Sequence, residues 1–156
     1  MIYIYNCYGG THSSSLASAI HLGNLPIDRI PTKEEILNTA YFDTLTYKDM
    51  GKIIYRGTDK WGNRVYTMGR GTSKVLIPAI GNLIGLLKIE CGLTDEIVLI
   101  NASPTVTFPM TVGGFLSRGL KLHFIGRNLL VIGVKQTYFN IVKLVAATLE
   151  TYNFEL

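Results

Sequence analysis

The chain has 156 residues, of which 47% are hydrophobic and 17% charged, with a formal net charge of +4. That length corresponds to one domain with a substantial core, and the apolar share excludes a disordered polar chain. The Lys and Arg residues are scattered rather than gathered into a run, so nucleic acid is not indicated as a partner. The excess suits either an ordinary solvated surface or small anionic ligands.

The opening residues carry no basic segment ahead of a short apolar run, which reads as a strand and not a signal peptide. Lys135 and Lys143 interrupt the C-terminal apolar segment, leaving no uncharged stretch of membrane-spanning length. A soluble cytoplasmic protein without a membrane partner is therefore expected. Cys7 and Cys91 stand far apart and form no disulfide framework.

Ile2, Tyr3, Ile4 and Tyr5 are a β-rich run that ends where Asn6 and two glycines break it. The polar stretch Thr11 to Ser15 offers N-caps to a helix with Leu16, Ala19 and Ile20 on one face, ending at Gly23 and Asn24. Thr32 with Glu35 three residues later forms a capping-box pattern that announces a second helix, with Ile36, Leu37, Ala40 and Tyr41 inward. Lys52 to Arg56 and Arg64 to Met68 read as a hairpin whose long loop holds Asp59, Trp61 and Gly62. Ile80, Leu83, Ile84 and Leu87 mark a buried helix, with Pro78 in its first turn or at a kink.

Glu96 to Ile100 suits a central strand closed by Asn101-Ala102-Ser103-Pro104. Val112 to Leu120 reads as a short helix weakened by Gly113 and Gly114. Leu122 to Ile125 fits strand or helix. Leu129 to Val134 reads as the last strand, and Lys135 to Tyr152 as a long helix. The alternation predicts one α/β domain over residues 1–156: three layers, a mostly parallel sheet with helices on both faces, a P-loop-like first β-loop-α unit and one inserted β-hairpin. Tyr3 to Asn6, Ile97 to Ile100 and Leu129 to Val134 are expected to be neighbouring buried strands.

In such sheets ligands bind beyond the carboxyl ends of the strands. The first loop there runs from Asn6 through Cys7, Gly9, Gly10, Thr11, His12, Ser13 and Ser14 to Ser15. Glycines let backbone amides converge, hydroxyls add donors, and a helix N-terminus supplies about half a positive charge. A phosphate, sulfate or carboxylate suits it; equally, the glycines can serve only the turn and the serines only the cap. There is no GxxxxGK[ST] match, so the lysine that reaches terminal phosphates is missing.

The second loop, Gly69 to Lys74, places Arg70, Thr72, Ser73 and Lys74 between a strand and a helix, and it too reads as an ordinary solvated turn. Asn101, Ser103, Lys135 and Thr137 occupy comparable strand ends. A phosphate held only by amides and hydroxyls is undercompensated, so a cation from another loop is expected. Arg70 is the first choice and Lys74 or Lys135 the alternatives.

Cys7 at a strand end facing a helix N-terminus, with His12 close in sequence as a base, is a nucleophile candidate; a small cysteine filling space behind the loop is the other reading. Strand, Cys, Gly-rich loop, Ser, helix resembles the order in low-molecular-weight tyrosine phosphatases. Those enzymes carry an arginine six positions after the cysteine, where this sequence has Ser13. His12, His21 and His123 have no metal-ligand spacing, and no metal is predicted. Trp61 is expected to be exposed on its loop, as a partner anchor or a cover for the hairpin.

The block YNCYGGTHSSSLASAIHLGNLP, residues 5 to 26, resembles a family of spore-forming Gram-positive bacteria known as domain of unknown function 3189. The resemblance implies a bacterial cytoplasmic protein with its signature at Asn6, Cys7, Gly9, Gly10, Thr11, His12, Ser13 and Ser14. It brings no established activity, substrate or partner with it, and the cofactor is unknown. The expected function is binding of a phosphate-bearing small molecule or nucleotide at the first loop, with phosphotransferase or phosphohydrolase chemistry as its enzymatic form. The alternatives are a Cys7-dependent phosphatase-like hydrolase lacking the usual arginine, and a non-catalytic regulatory protein with a protein partner.

Overall fold

Ile2–Cys7 forms strand β1 at the centre of the sheet in the computed structural model, which describes residues 1–152, 154 and 156. Tyr3, Ile4 and Tyr5 are all buried, so neither face of β1 is open to water, as the unbroken apolar run requires. Its neighbours are β3 (Arg64–Gly69) and β4 (Ile97–Asn101), both parallel to it. β2 (Ile53–Thr58) pairs antiparallel with β3, giving the order β2-β3-β1-β4. The four-stranded open sheet is thus mixed, its antiparallel edge being the inserted hairpin.

Helix α1 (Ser13–His21) packs on β1 and β3. The short α2 (Lys33–Leu37) starts in the capping box read from the sequence. There the Glu35 amide donates to Thr32 Oγ1 at 3.2 Å and the Thr32 amide donates to Glu35 Oε2 at 2.7 Å. α3 (Leu76–Cys91) carries Pro78 in its first turn, where no helical hydrogen bond is lost, and stops at Gly92 in the left-handed region. α4 (Phe108–Gly114) runs on into a π turn over Phe115–Gly119, and α5 (His123–Glu150) completes the chain.

The expected strand Leu129 to Val134 is helical and lies inside α5. Leu130, Val134, Tyr138, Ile141, Val145 and Leu149 are fully buried and recur at helical spacing, joining Leu16, Ile20 and Ile36 in one core. The run looks like a strand because apolar residues continue onto the open side of α5, where Ile132 is 49% exposed, so no polar position marks the helical period. By length and composition α5 could also cross a membrane, Lys135 and Lys143 notwithstanding; here it is the helix against which α1, α2 and α4 pack.

Two glycines set how closely α4 meets α5. A Cβ on Gly126 would lie 2.5 Å from the Ser117 amide nitrogen, and one on Gly133 would lie 2.6 Å from Met110 Cγ. They stand seven residues apart, two turns along one face. With no side chain there, the α4 backbone and its π turn lie directly on α5.

His21 pins the hairpin to the sheet. Its Nδ1 is 2.8 Å from the Tyr5 hydroxyl and its Nε2 is 3.1 Å from Asp59 Oδ2, in the β2–β3 loop. Burial outweighs the attraction of Asp59 and lowers the His21 pKa from its ordinary 6.5, favouring the neutral ring. Trp61 is exposed on its loop, as expected, and its inner side packs against Phe154 at 4.9 Å between ring centres, the contact of a cover for the hairpin loop.

The close approach of α4 and α5 gives a direct test. Gly126→Ala raises intrinsic helix propensity by about 1 kcal/mol, but the methyl meets backbone that cannot yield, at a cost of about 2 to 3 kcal/mol. Net destabilisation is expected in urea unfolding with an unchanged m-value.

Candidate functional site

The β1–α1 loop turns back on itself at Gly10, whose φ of +69° suits glycine. This turn aims the Gly10 amide at Cys7, to whose Sγ it donates at 3.2 Å. Ser14 Oγ lies 3.1 Å from the same sulfur. The serines expected to cap α1 do other work. No side chain caps the helix; Ser15 Oγ donates to Gly10 O at 3.4 Å, and Ser13 Oγ is buried without any hydrogen-bond partner.

A cavity of about 390 Å³ opens onto this loop, within the size range of small-molecule sites. Cys7, Gly9, Thr11, His12 and Ser13 form one end of it, together with Arg118 from the π turn after α4. Tyr8, Tyr47, Met50, Val106, Met110 and Phe115 make the remainder largely apolar. Arg118 Nη1 is buried and, like Ser13 Oγ, has no partner among the described residues. Two of the residues lining the cavity at the N-terminus of a nine-residue helix therefore hold an unpaired donor, one cationic and one a hydroxyl.

Beneath the cavity Asp43 gathers a buried polar network. Its side chain is 1% exposed; Oδ1 lies 3.2 Å from His12 Nε2, and Oδ2 accepts from Ser117 Oγ at 2.6 Å and from Arg127 Nε at 3.3 Å. Ser117 Oγ is also 3.2 Å from His123 Nδ1. Burial works to raise the Asp43 pKa, but the hydrogen bonds from His12, Ser117 and Arg127 outweigh it and hold the carboxyl below its ordinary 3.8. The Asp43 segment is tied down by Thr11, whose hydroxyl donates to Tyr41 O at 2.5 Å and accepts from the Thr44 and Leu45 amides.

Residues 2–150 match the family described as "Protein of unknown function (DUF3189)". The chain belongs to the DUF3189 family. No curated protein and no solved structure matches it. The match spans the loop, the Asp43 segment and the α4–α5 pair together, so every wall of the cavity lies inside the family's domain.

The structure brings Cys7, Gly9, Thr11, His12 and Ser13 to the cavity, with Gly10 and Ser14 supporting Cys7. Other candidates from the sequence lie elsewhere. Asn6 Nδ2 donates to Ile100 O at 2.8 Å, stitching β1 to β4, while its Oδ1 is buried without a partner. Arg70 Nη2 donates to Ser103 Oγ at 3.1 Å, and Asn101 Oδ1 accepts from the Ser103 amide. None of these residues lines the cavity. Ser73 Oγ accepts from the Leu76 amide at the start of α3, and Thr72 and Lys74 beside it are exposed. Lys135 sits mid-helix on the exposed side of α5, because the strand it was expected to follow does not exist.

The cation at the cavity is Arg118, which sequence reasoning missed along with Asp43, Ser117 and Arg127. Arg118 lies in a stretch read as a weak helix far from any strand end. Only its place in a segment free of acidic residues from Ile97 to Leu149 hinted at an unpaired charge.

Asp43→Asn keeps the side-chain shape but removes the charge facing His12 and Arg127, and is expected to cost about 2 to 3 kcal/mol at neutral pH. A carboxyl with a depressed folded pKa contributes its stability above the ordinary value of 3.8 and loses it as pH falls through the lower folded value. The gap between wild type and variant in urea unfolding should therefore close below that pH.

Proposed function

We propose that this chain binds a phosphate-bearing small molecule, a nucleotide or phosphorylated metabolite, in the cavity at the N-terminus of α1. The observation carrying this reading is that Ser13 and Arg118, which both line one cavity, each hold a buried donor, Ser13 Oγ and Arg118 Nη1, without a partner among the described residues. Leaving such groups unsatisfied is costly, and an oxyanion in the cavity would satisfy both once their side chains turn toward it, while meeting the positive end of the helix dipole. In this reading the N-terminus of α1, the Ser13 hydroxyl and the Arg118 guanidinium do the work of a P-loop, with the arginine replacing the missing lysine. Beyond the anion, Tyr8, Tyr47 and Phe115 suit an aromatic or apolar body. In this reading the chain is a cytoplasmic protein, with α5 as its core helix.

A second reading is favoured by the hydrogen bonds at Cys7. The Gly10 amide donates to the sulfur and Ser14 Oγ lies 3.1 Å from it, while His12, oriented by Asp43, lines the same cavity as a base for the thiol proton. Cys7 would then attack phosphorus, forming an S–P bond as the P–O bond to the alcohol breaks and the departing oxygen takes a proton. Water would next displace the cysteine and release phosphate.

Phosphate, sulfate, ATP and GTP are the probes. A ligand that binds only the folded chain raises its melting temperature, and Arg118→Ala should weaken that binding by about 1.5 to 3 kcal/mol with little loss of stability. Absence of any shift at millimolar ligand overturns the binding proposal. Aryl-phosphate turnover that disappears in Cys7→Ser supports the hydrolytic reading, and turnover that survives the substitution excludes it.

A further inference from the structure

α3 contains no buried residue, although it is among the most apolar segments of the chain and is uncharged from Val75 to Leu87. Val75, Leu86 and Ile89 are 73%, 54% and 80% exposed. Val75, Ala79, Asn82, Leu86 and Ile89 follow one another at spacings of four, three, four and three. Counted from the N-cap Val75, this is the spacing of a two-stranded coiled-coil seam, and nothing among the described residues covers it.

We propose that α3 pairs with α3 of a second copy of this chain, antiparallel and two-fold symmetric about Asn82. The register follows from complementarity. With Asn82 on the axis, its amide meets that of the second copy, so the one polar residue of the seam is satisfied by its own image. Val75 then lies against Ile89 of the second copy, and the small Ala79 beside the large Leu86. Lys74, just before the helix, faces Glu90 of the second copy at each end. Both are exposed, and neither has an ion-pair partner among the described residues. A parallel pairing would set Lys74 against Lys74 and Glu90 against Glu90, which disfavours it. A polar residue in such a seam specifies register and partner number at some cost in stability, a role that fits Asn82.

Sedimentation velocity across a concentration series should show a reversible dimer. Leu86→Glu, at an exposed position where the fold has nothing to lose, should raise the dimer dissociation constant at least about tenfold with unchanged circular dichroism. Lys74→Glu and Glu90→Lys should each weaken the dimer several-fold, roughly what rim ion pairs contribute, and the double variant should recover wild-type affinity. Asn82→Cys in a Cys91→Ser background should oxidise to a covalent dimer. A monomer at all concentrations, a dimer indifferent to Leu86→Glu, or a charge swap without recovery overturns the proposal.

Discussion

The backbone of the β1–α1 loop touches the end of β3 with no room for a side chain on either partner. A Cβ on Gly10 would lie 2.6 Å from the Gly69 nitrogen, and one on Gly69 would lie 2.8 Å from the Gly9 carbonyl carbon. Because the two turns interlock, the Arg70 amide reaches Cys7 O and the Gly71 amide reaches Tyr8 O, each at 2.9 Å. The parallel pairing of β1 with β3 is thereby carried into the loops. The Gly10 turn that sends its amide to Cys7, and the direction in which α1 leaves, both follow from that contact.

Three separate parts of the chain then close around the loop. Thr11 binds the segment from Tyr41 to Leu45, where Tyr41 and Asp43 adopt left-handed backbone at φ of 61° and 52°. That conformation is uncommon for residues other than glycine, and several tertiary hydrogen bonds hold it here. It turns the Asp43 carboxylate inward to meet His12, Ser117 and Arg127. The same contacts fix the π turn after α4, and Arg118 is its next residue after Ser117. The carboxylate thus couples the histidine that lines the cavity to the segment that supplies its cation.

Local chemistry made the first half of this design legible. The β run, the Gly9-Gly10 turn, the Thr32–Glu35 box and the hairpin each follow from short-range preferences that the tertiary structure leaves intact. The glycines at Gly69 and Gly71 were also visible, but Gly69 serves close packing against the first loop and Gly71 a left-handed turn at φ of 58°, and neither presents Arg70 to the cavity. Leu129 to Val134 misled because an apolar residue, Ile132, also occupies the exposed face of α5 and removes the amphipathic period that separates helix from strand. Losing that strand moved Lys135 away from any strand end. It also hid the α4–α5 pair, whose crossing depends on Gly126 and Gly133, two residues that in sequence look like interruptions. Asp43 and Arg118 meet the loop only through long-range contacts, which no local pattern announces.

Arg118 and the open end of α1 are proposed to form one oxyanion site, and a crystal of the chain soaked in tungstate examines that directly. The anomalous peak is expected in the cavity, within hydrogen-bonding distance of Ser13 Oγ and the Arg118 guanidinium and above Cys7. A crystal whose cavity stays free of tungsten, or whose strongest peak lies beside Arg70 and Lys74, would contradict it.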